Sequence, residues 1–276
     1  MNAPTWLTVT RGNEPLVVSI PHTGTALAGL DHRLVSPWLA RKDTDWRIED
    51  LYDFAPEMGA TIVRTSVSRT VIDVNRDPSG LALYPGQATT GLCPLSTFDG
   101  EPLYLVGAEP DDQEIAARKT AWFDPYDRAL HGEIARLRAR HRQVVVYDCH
   151  CIRSVIPRLF EGLLPMFNLG TNSGASADRS LVDSVTGILQ ASGQSHAVDG
   201  RFKGGWITRS FGQPGRGVHA LQMELACRAY LPEPQGAVTP ADWPPEYKAD
   251  YAAATRATLK TLLLGVLAWA RLCNSV

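Results

Sequence analysis

The chain has 276 residues, 44% of them hydrophobic, which suffices for a large core and is ordinary for a globular protein. Its 27 basic and 29 acidic residues leave a formal charge of −2, so electrostatics make no case for nucleic acid or an anionic membrane as partner. Five cysteines without a CxxC pair read as reduced thiols of a cytoplasmic protein. The N-terminal residues lack a basic segment followed by a long apolar run, and the most apolar stretch, residues 262–272, is too short to span a bilayer. A single domain over residues 1–276 is expected.

Taken in chain order, residues 16–20 (Leu16-Val17-Val18-Ser19-Ile20) predict a buried strand that ends at Pro21-His22-Thr23-Gly24. Residues 45–58 predict a helix, because Ile48, Leu51, Tyr52, Ala55 and Met58 recur at helical spacing and Gly59 follows as a stop. Residues 60–67 and 70–74 predict two further strands. The Pro/Gly/Thr-rich segment 77–110 predicts a long loop, a feature that is usually functional in a compact domain. Residues 112–140 predict a helical region with a break or restart at Pro125. Residues 144–147 predict the clearest buried strand, running into Asp148-Cys149-His150. A strand over 165–169, a helix over 177–191, a strand over 218–225 and an amphipathic helix over 247–272 complete the pattern. The alternation predicts an α/β fold, a doubly wound and mostly parallel mixed sheet with helices on both faces. Ligands of such sheets bind beyond the carboxyl ends of the strands, where His22 and His150 both fall.

Several residues there can carry chemistry, and each has a plainer reading. His22 and His150 could converge as two ligands of one catalytic metal, although a lone histidine is more often a polar core residue. A carboxylate ligand could come from Asp43 or Asp45, two acids that equally suit the cap and dipole of a helix start. Cys149 and Cys151 flank His150 and would pack, because a closed His/Cys site leaves no position for water. Asn75 and Arg76 could grip a substrate carboxylate, or Arg76 could simply pair with Asp77. Arg69, Arg153 and Arg158 are further cations near the candidate site, as an acidic small-molecule substrate would need. In Gly204-Gly205-Trp206-Ile207-Thr208 the glycines let backbone amides approach a ligand, or form an ordinary loop. Glu224 lies in the apolar run Leu221-Gln222-Met223-Glu224-Leu225, where burying a carboxylate without a partner is costly, so a role as general base competes with a structural one.

These pieces occur together in one family. Ser19-Ile20-Pro21-His22-Thr23-Gly24, Asp43-Thr44-Asp45-Trp46, Val74-Asn75-Arg76-Asp77, Leu83-Tyr84-Pro85-Gly86-Gln87, Asp148-Cys149-His150-Cys151-Ile152-Arg153-Ser154, the Gly200–Arg209 block and Gln222-Met223-Glu224-Leu225 resemble the N-formylglutamate amidohydrolase family over nearly the whole chain. The resemblance implies a fold related to zinc carboxypeptidases and aspartoacylase, with zinc, or another divalent ion, at the carboxyl edge of the sheet. It implies His22, His150 and one of the Asp43/Asp45 pair, Asp45 being preferred, as metal ligands. Glu224 would be the base that activates the hydrolytic water, and Arg69 would steady the oxyanion. Asn75, Arg76 and Arg153, with Gly205 and Thr208, would form the substrate site. The implied activity is hydrolysis of N-formyl-L-glutamate to formate and L-glutamate at the end of one histidine-degradation route, by a monomer or small homo-oligomer. Another N-formyl or N-acyl amino acid as substrate, and a non-catalytic binder of acidic metabolites, are the alternatives.

Overall fold

The computed structural model describes residues 5–81 and 89–274. The motif Leu83–Gln87 lies outside the described residues. Seven strands form one mixed sheet: β1 (Leu7–Thr10), β2 (Leu16–Ile20), β3 (Thr61–Thr65), β4 (Val144–Ile152), β5 (Phe167–Gly170), β6 (His196–Val198) and β7 (Val218–Ala226). Their spatial order is β1-β3-β2-β4-β7-β5-β6. The β3-β2-β4-β7 core is parallel throughout, whereas β1 joins β3 and β5 joins β7 antiparallel.

The central strands are apolar on both faces because helices cover both. On one side Leu16, Val18, Tyr147, Cys149, Leu221 and Met223 pack against α1 (Ile48–Leu51), α4 (Arg179–Ala191) and the long α6 (Ala249–Asn274). On the other, Val17, Val63, Val144, Val146 and Ala220 pack against α3 (Asp124–Arg138) and α5 (Trp206–Phe211). Each fully buried Leu, Ile or Val of this kind contributes about 1.5–3 kcal/mol before ordering costs. Toward the carboxyl ends of β4 and β7 the second face changes character. The alternating positions Asp148, His150, Gln222 and Glu224 replace the aliphatic residues below them, so the sheet passes from core to polar site within one strand. Cys149 and Cys151 point the other way, into the core.

Several elements differ from the sequence expectation. Residues 45–58 are not one helix: α1 is a single turn, preceded by Arg47 at φ 62°, and a 3-10 turn at Pro56–Met58 closes on Gly59 at φ 78°. The Asp45 N–H bonds to the His22 carbonyl at 3.0 Å, which holds this segment against the β2 loop and delays the helix. Residues 70–74 form turns rather than a strand, since their amides bond outside any ladder, Val71 N–H to Ser68 O within a turn and Asp73 N–H to Leu92 O across the following loop. The helical region 112–140 divides into α2 (Asp112–Arg118), one π turn (Lys119–Phe123) and α3, with Pro125 in the first turn of α3, directly after the π turn. β4 runs on through Ile152, so His150 lies within a strand instead of after it. β1, β6 and α5 were not anticipated. No helix among the described residues is long and apolar enough to cross a membrane.

Candidate active site

Three elements bring the candidate ligands together. His22 follows β2 directly, Asp45 lies in the turn bound to the His22 carbonyl, and His150 stands on β4 beside Glu224 of β7, its paired residue in the register. The two imidazole centroids are 4.9 Å apart. Asp45 Oδ2 lies 3.1 Å from His150 Nδ1 and 3.6 Å from His22 Nδ1. One donor atom from each of His22, Asp45 and His150 falls within 4.8 Å of the others, and all three residues are buried.

The outer nitrogens of both rings are held by carboxylates. His22 Nε2 lies 2.7 Å from Asp73 Oδ1, and His150 Nε2 lies 2.7 Å from Asp148 Oδ2. With Nε2 of each ring turned outward to an acid, both Nδ1 atoms face inward toward Asp45, the arrangement typical of metal-binding histidines. His22 Nδ1 and Asp45 Oδ1 are buried without a hydrogen-bond partner. Such atoms are costly to leave alone, and a cation at the junction of these donors satisfies them. The donor set therefore fits a divalent metal. Asp43 does not share the cluster: its Oδ2 accepts the Phe98 N–H at 2.6 Å and its Oδ1 lies 3.5 Å from Arg153.

The charge balance supports the same conclusion. Burial would raise the Asp45 carboxyl, but its bond to His150 and the nearby His22 ring outweigh that and hold it low. Burial would lower the His150 imidazole, but Asp148 and Asp45 outweigh it and hold a proton on the ring. Both shifts favour positive charge beside an ionised Asp45, a balance that a bound cation would also meet. Glu224 behaves oppositely. Burial first, then the nearby Asp45 and Asp148 charges, push it up to about 7 against the pull of His150 and Arg69. A carboxyl in that range exchanges protons near neutral pH.

The remaining predicted site residues divide. Arg69 and Arg76 line the same cavity as His22, His150 and Glu224. The Arg69 guanidinium lies 2.7 Å from Asp73, 3.5 Å from Asp45 and 4.8 Å over the Phe98 ring. Arg76 is braced by Thr90 and lies 3.6 Å from Asp73. Asn75 also lines the cavity, and within the protein its Nδ2 donates to Asp148 at 2.9 Å and its Oδ1 accepts the Ile207 N–H at 2.8 Å. Gly205 lines the cavity, but its N–H donates to Gln222 Oε1 at 2.7 Å, and a Cβ there would stand 2.6 Å from the Asn75 carboxamide. Thr208 is fully buried against Gly204. Arg153 points away from the cavity, into a neighbouring groove, where it pairs with Asp99 at 2.6 Å.

Sequence reasoning passed over Asp73, Asp148, Gln222 and Arg201. Asp148 carried a usable signal, since it precedes His150 by two residues and so shares its strand face. Gln222 stands in the same relation to Glu224 and donates to its Oε2 at 3.0 Å. Arg201 lines the cavity from the loop after β6, a placement no local pattern reveals.

Comparison with known proteins adds to this geometry. The family model for N-formylglutamate amidohydrolase matches residues 14–231. An N-formylglutamate deformylase of Pseudomonas aeruginosa is 45% identical over 267 residues, covering 96% of this chain and 97% of its own. One from Pseudomonas putida is 43% identical over 261 residues, covering 94% of each. The crystal structure of N-formylglutamate amidohydrolase from Ralstonia eutropha JMP134 superposes with a TM-score of 0.79 at 24% identity, covering 97% of this chain and 99% of that one. At that identity the last match speaks for the fold. With a family match that spans His22, Asp45, His150 and Glu224 alike, the chain belongs to the N-formylglutamate amidohydrolase family.

Proposed function

We propose that this protein hydrolyses N-formyl-L-glutamate to formate and L-glutamate with a divalent metal held by His22, Asp45 and His150. The observation that carries the reading is the buried His-Asp-His cluster, with its unpartnered inward atoms, opening on a cavity that also contains Glu224. Two imidazoles and one carboxylate are a donor set suited to zinc, and cobalt, manganese, nickel or iron accept the same donors. Bound there, such an ion supplies Lewis-acid polarisation of the formyl oxygen and lowers the pKa of water.

The chain's own groups do the rest. Glu224 takes a proton from the attacking water as the C–O bond forms, and passes it to the amide nitrogen as the C–N bond breaks. Gln222 holds the carboxylate oxygen it donates to, and is itself held by the Gly205 N–H, so Glu224 keeps one orientation. Arg69, fixed by Asp73, offers a positive charge to the developing oxyanion. Arg76 receives a substrate carboxylate. Asn75 serves as a brace between Asp148 and α5. The reaction would close one route of histidine degradation in the cytoplasm.

Metal analysis of purified protein together with a formate-release assay tests this. The expected result is a stoichiometric divalent ion and formate release that stops on chelation and returns on metal addition. Protein that releases formate at full rate after exhaustive chelation would overturn the metal assignment. Absence of formate release from metal-replete protein would overturn the activity.

A further inference from the structure

We propose that Arg201 recognises the side-chain carboxylate of the substrate and thereby sets a preference for acidic over neutral N-formyl amino acids; the inference rests on the hydrolase reading above. N-formylglutamate has two carboxylates at unequal distances from the reacting bond. The α-carboxylate shares a carbon with the amide nitrogen, so it must lie near His22, His150 and Glu224. The side-chain carboxylate lies beyond two methylenes and needs a cation farther along the cavity.

Three arginines line the described cavity wall: Arg69, Arg76 and Arg201. Arg69 is buried between Asp73 and Asp45, beside the His-Asp-His cluster, where it serves the oxyanion. Arg76 follows Asn75, whose amide reaches Asp148 behind His150, so it belongs to the metal end and suits the α-carboxylate. Arg201 comes from a separate part of the chain. Its Nε donates to the Leu159 carbonyl at 2.7 Å and its guanidinium lies 5.3 Å from the Phe202 ring centroid. Ile152, Leu159 and Phe202 line the cavity with it and give an apolar surface for the methylenes. Apolar wall and guanidinium together match an acidic side chain of glutamate length. The carbonyl bond to Nε fixes the plane of the fork that would meet the carboxylate.

The test compares kcat/KM for N-formyl-L-glutamate and N-formyl-L-glutamine in wild type, Arg201→Met and Arg201→Lys. Truncating one partner of a buried charged pair predicts a loss of roughly 100-fold on the acidic substrate in Arg201→Met. That loss falls mainly on KM, as for binding lost equally in ground and transition states. Turnover of the neutral substrate stays within about threefold of wild type, which also shows that the variant folds. Arg201→Lys keeps the charge without the fork and falls between the two. An acidic preference that survives both variants overturns the proposal. So does an equal loss on both substrates in both variants, which marks a structural role. Wild type inactive on both substrates would instead refute the hydrolase reading, and this inference with it.

Discussion

Replacing Asp148 by Asn probes the outer support of the candidate metal cluster with almost no change of shape. Asp148 Oδ2 accepts from His150 Nε2 at 2.7 Å and from Asn75 Nδ2 at 2.9 Å. An Asn carbonyl oxygen in that place can accept both bonds, so the variant removes the charge and keeps the contacts. A hydrogen bond to a charged group contributes about 1.5–3 kcal/mol and one between neutral groups about 1 kcal/mol. The difference, roughly 0.5–2 kcal/mol, is the loss expected in the basicity of His150 Nδ1 toward a metal, or about a 2- to 30-fold weaker Kd. That agrees with the 10- to 100-fold (~) cost typical of removing an outer carboxylate partner of a metal-bound histidine. Competition against a chromophoric chelator measures the zinc Kd directly, and circular dichroism of the metal-free protein controls for folding. A Kd unchanged within about twofold of wild type would refute the reasoning, because a charge worth this much in the structure cannot be silent in the affinity.

Other outcomes follow from neighbouring contacts. Glu224→Gln keeps an acceptor for Gln222 but removes the proton carrier, so kcat should fall about 100- to 10,000-fold with metal content unchanged; turnover within about tenfold of wild type would refute the base role. Gly205→Ala forces a Cβ to within 2.6 Å of the Asn75 carboxamide, so urea unfolding should show a loss of about 1–3 kcal/mol, and an unchanged midpoint would contradict the packing. His219 accepts the Asp178 N–H at Nδ1 and lies 2.8 Å from Gln143 Oε1 at Nε2, a pairing that suits the neutral ring. Burial, aided by Arg138 and opposed by Asp178, lowers it to about 4. The unfolded chain therefore takes this proton first, and stability present above about pH 6.5 is lost as pH falls toward about 4. The full shift sets a ceiling of about 3 kcal/mol, which solvent screening reduces to roughly 1–2 kcal/mol. Thermal melts across that window should show a shallower acid decline for His219→Gln than for wild type, and equal slopes would remove His219 from the account.

What the sequence made legible and what it hid share one physical cause. The strands β2, β4 and β7 carry long apolar runs whose burial on both faces leaves no other reading, and α4 and α6 show the period of a helix packed on one side. β1 and β6 are short edge strands, and α5 has six residues within a Gly-rich segment, so none offers enough periodicity to outweigh loop chemistry. The errors at 45–58 and 70–74 are of a different kind. Both segments have good local patterns, and both are overridden because Asp45 and Asp73 must reach the histidines. Asp45 and Asp43 each suit a helix start, so local pattern gave Asp45 only a slight preference; the fold separates them, placing Asp45 between two imidazoles and Asp43 on the Phe98 amide. Local rules fail where residues are placed for chemistry rather than for the element they sit in. The two outer carboxylates illustrate the point most sharply. A buried acid near a strand reads as a cost, yet Asp73 and Asp148 fix which nitrogen of each histidine faces inward. Without them the same His22, Asp45 and His150 could meet in the same place with either ring nitrogen turned inward, and the cluster would be less suited to a cation.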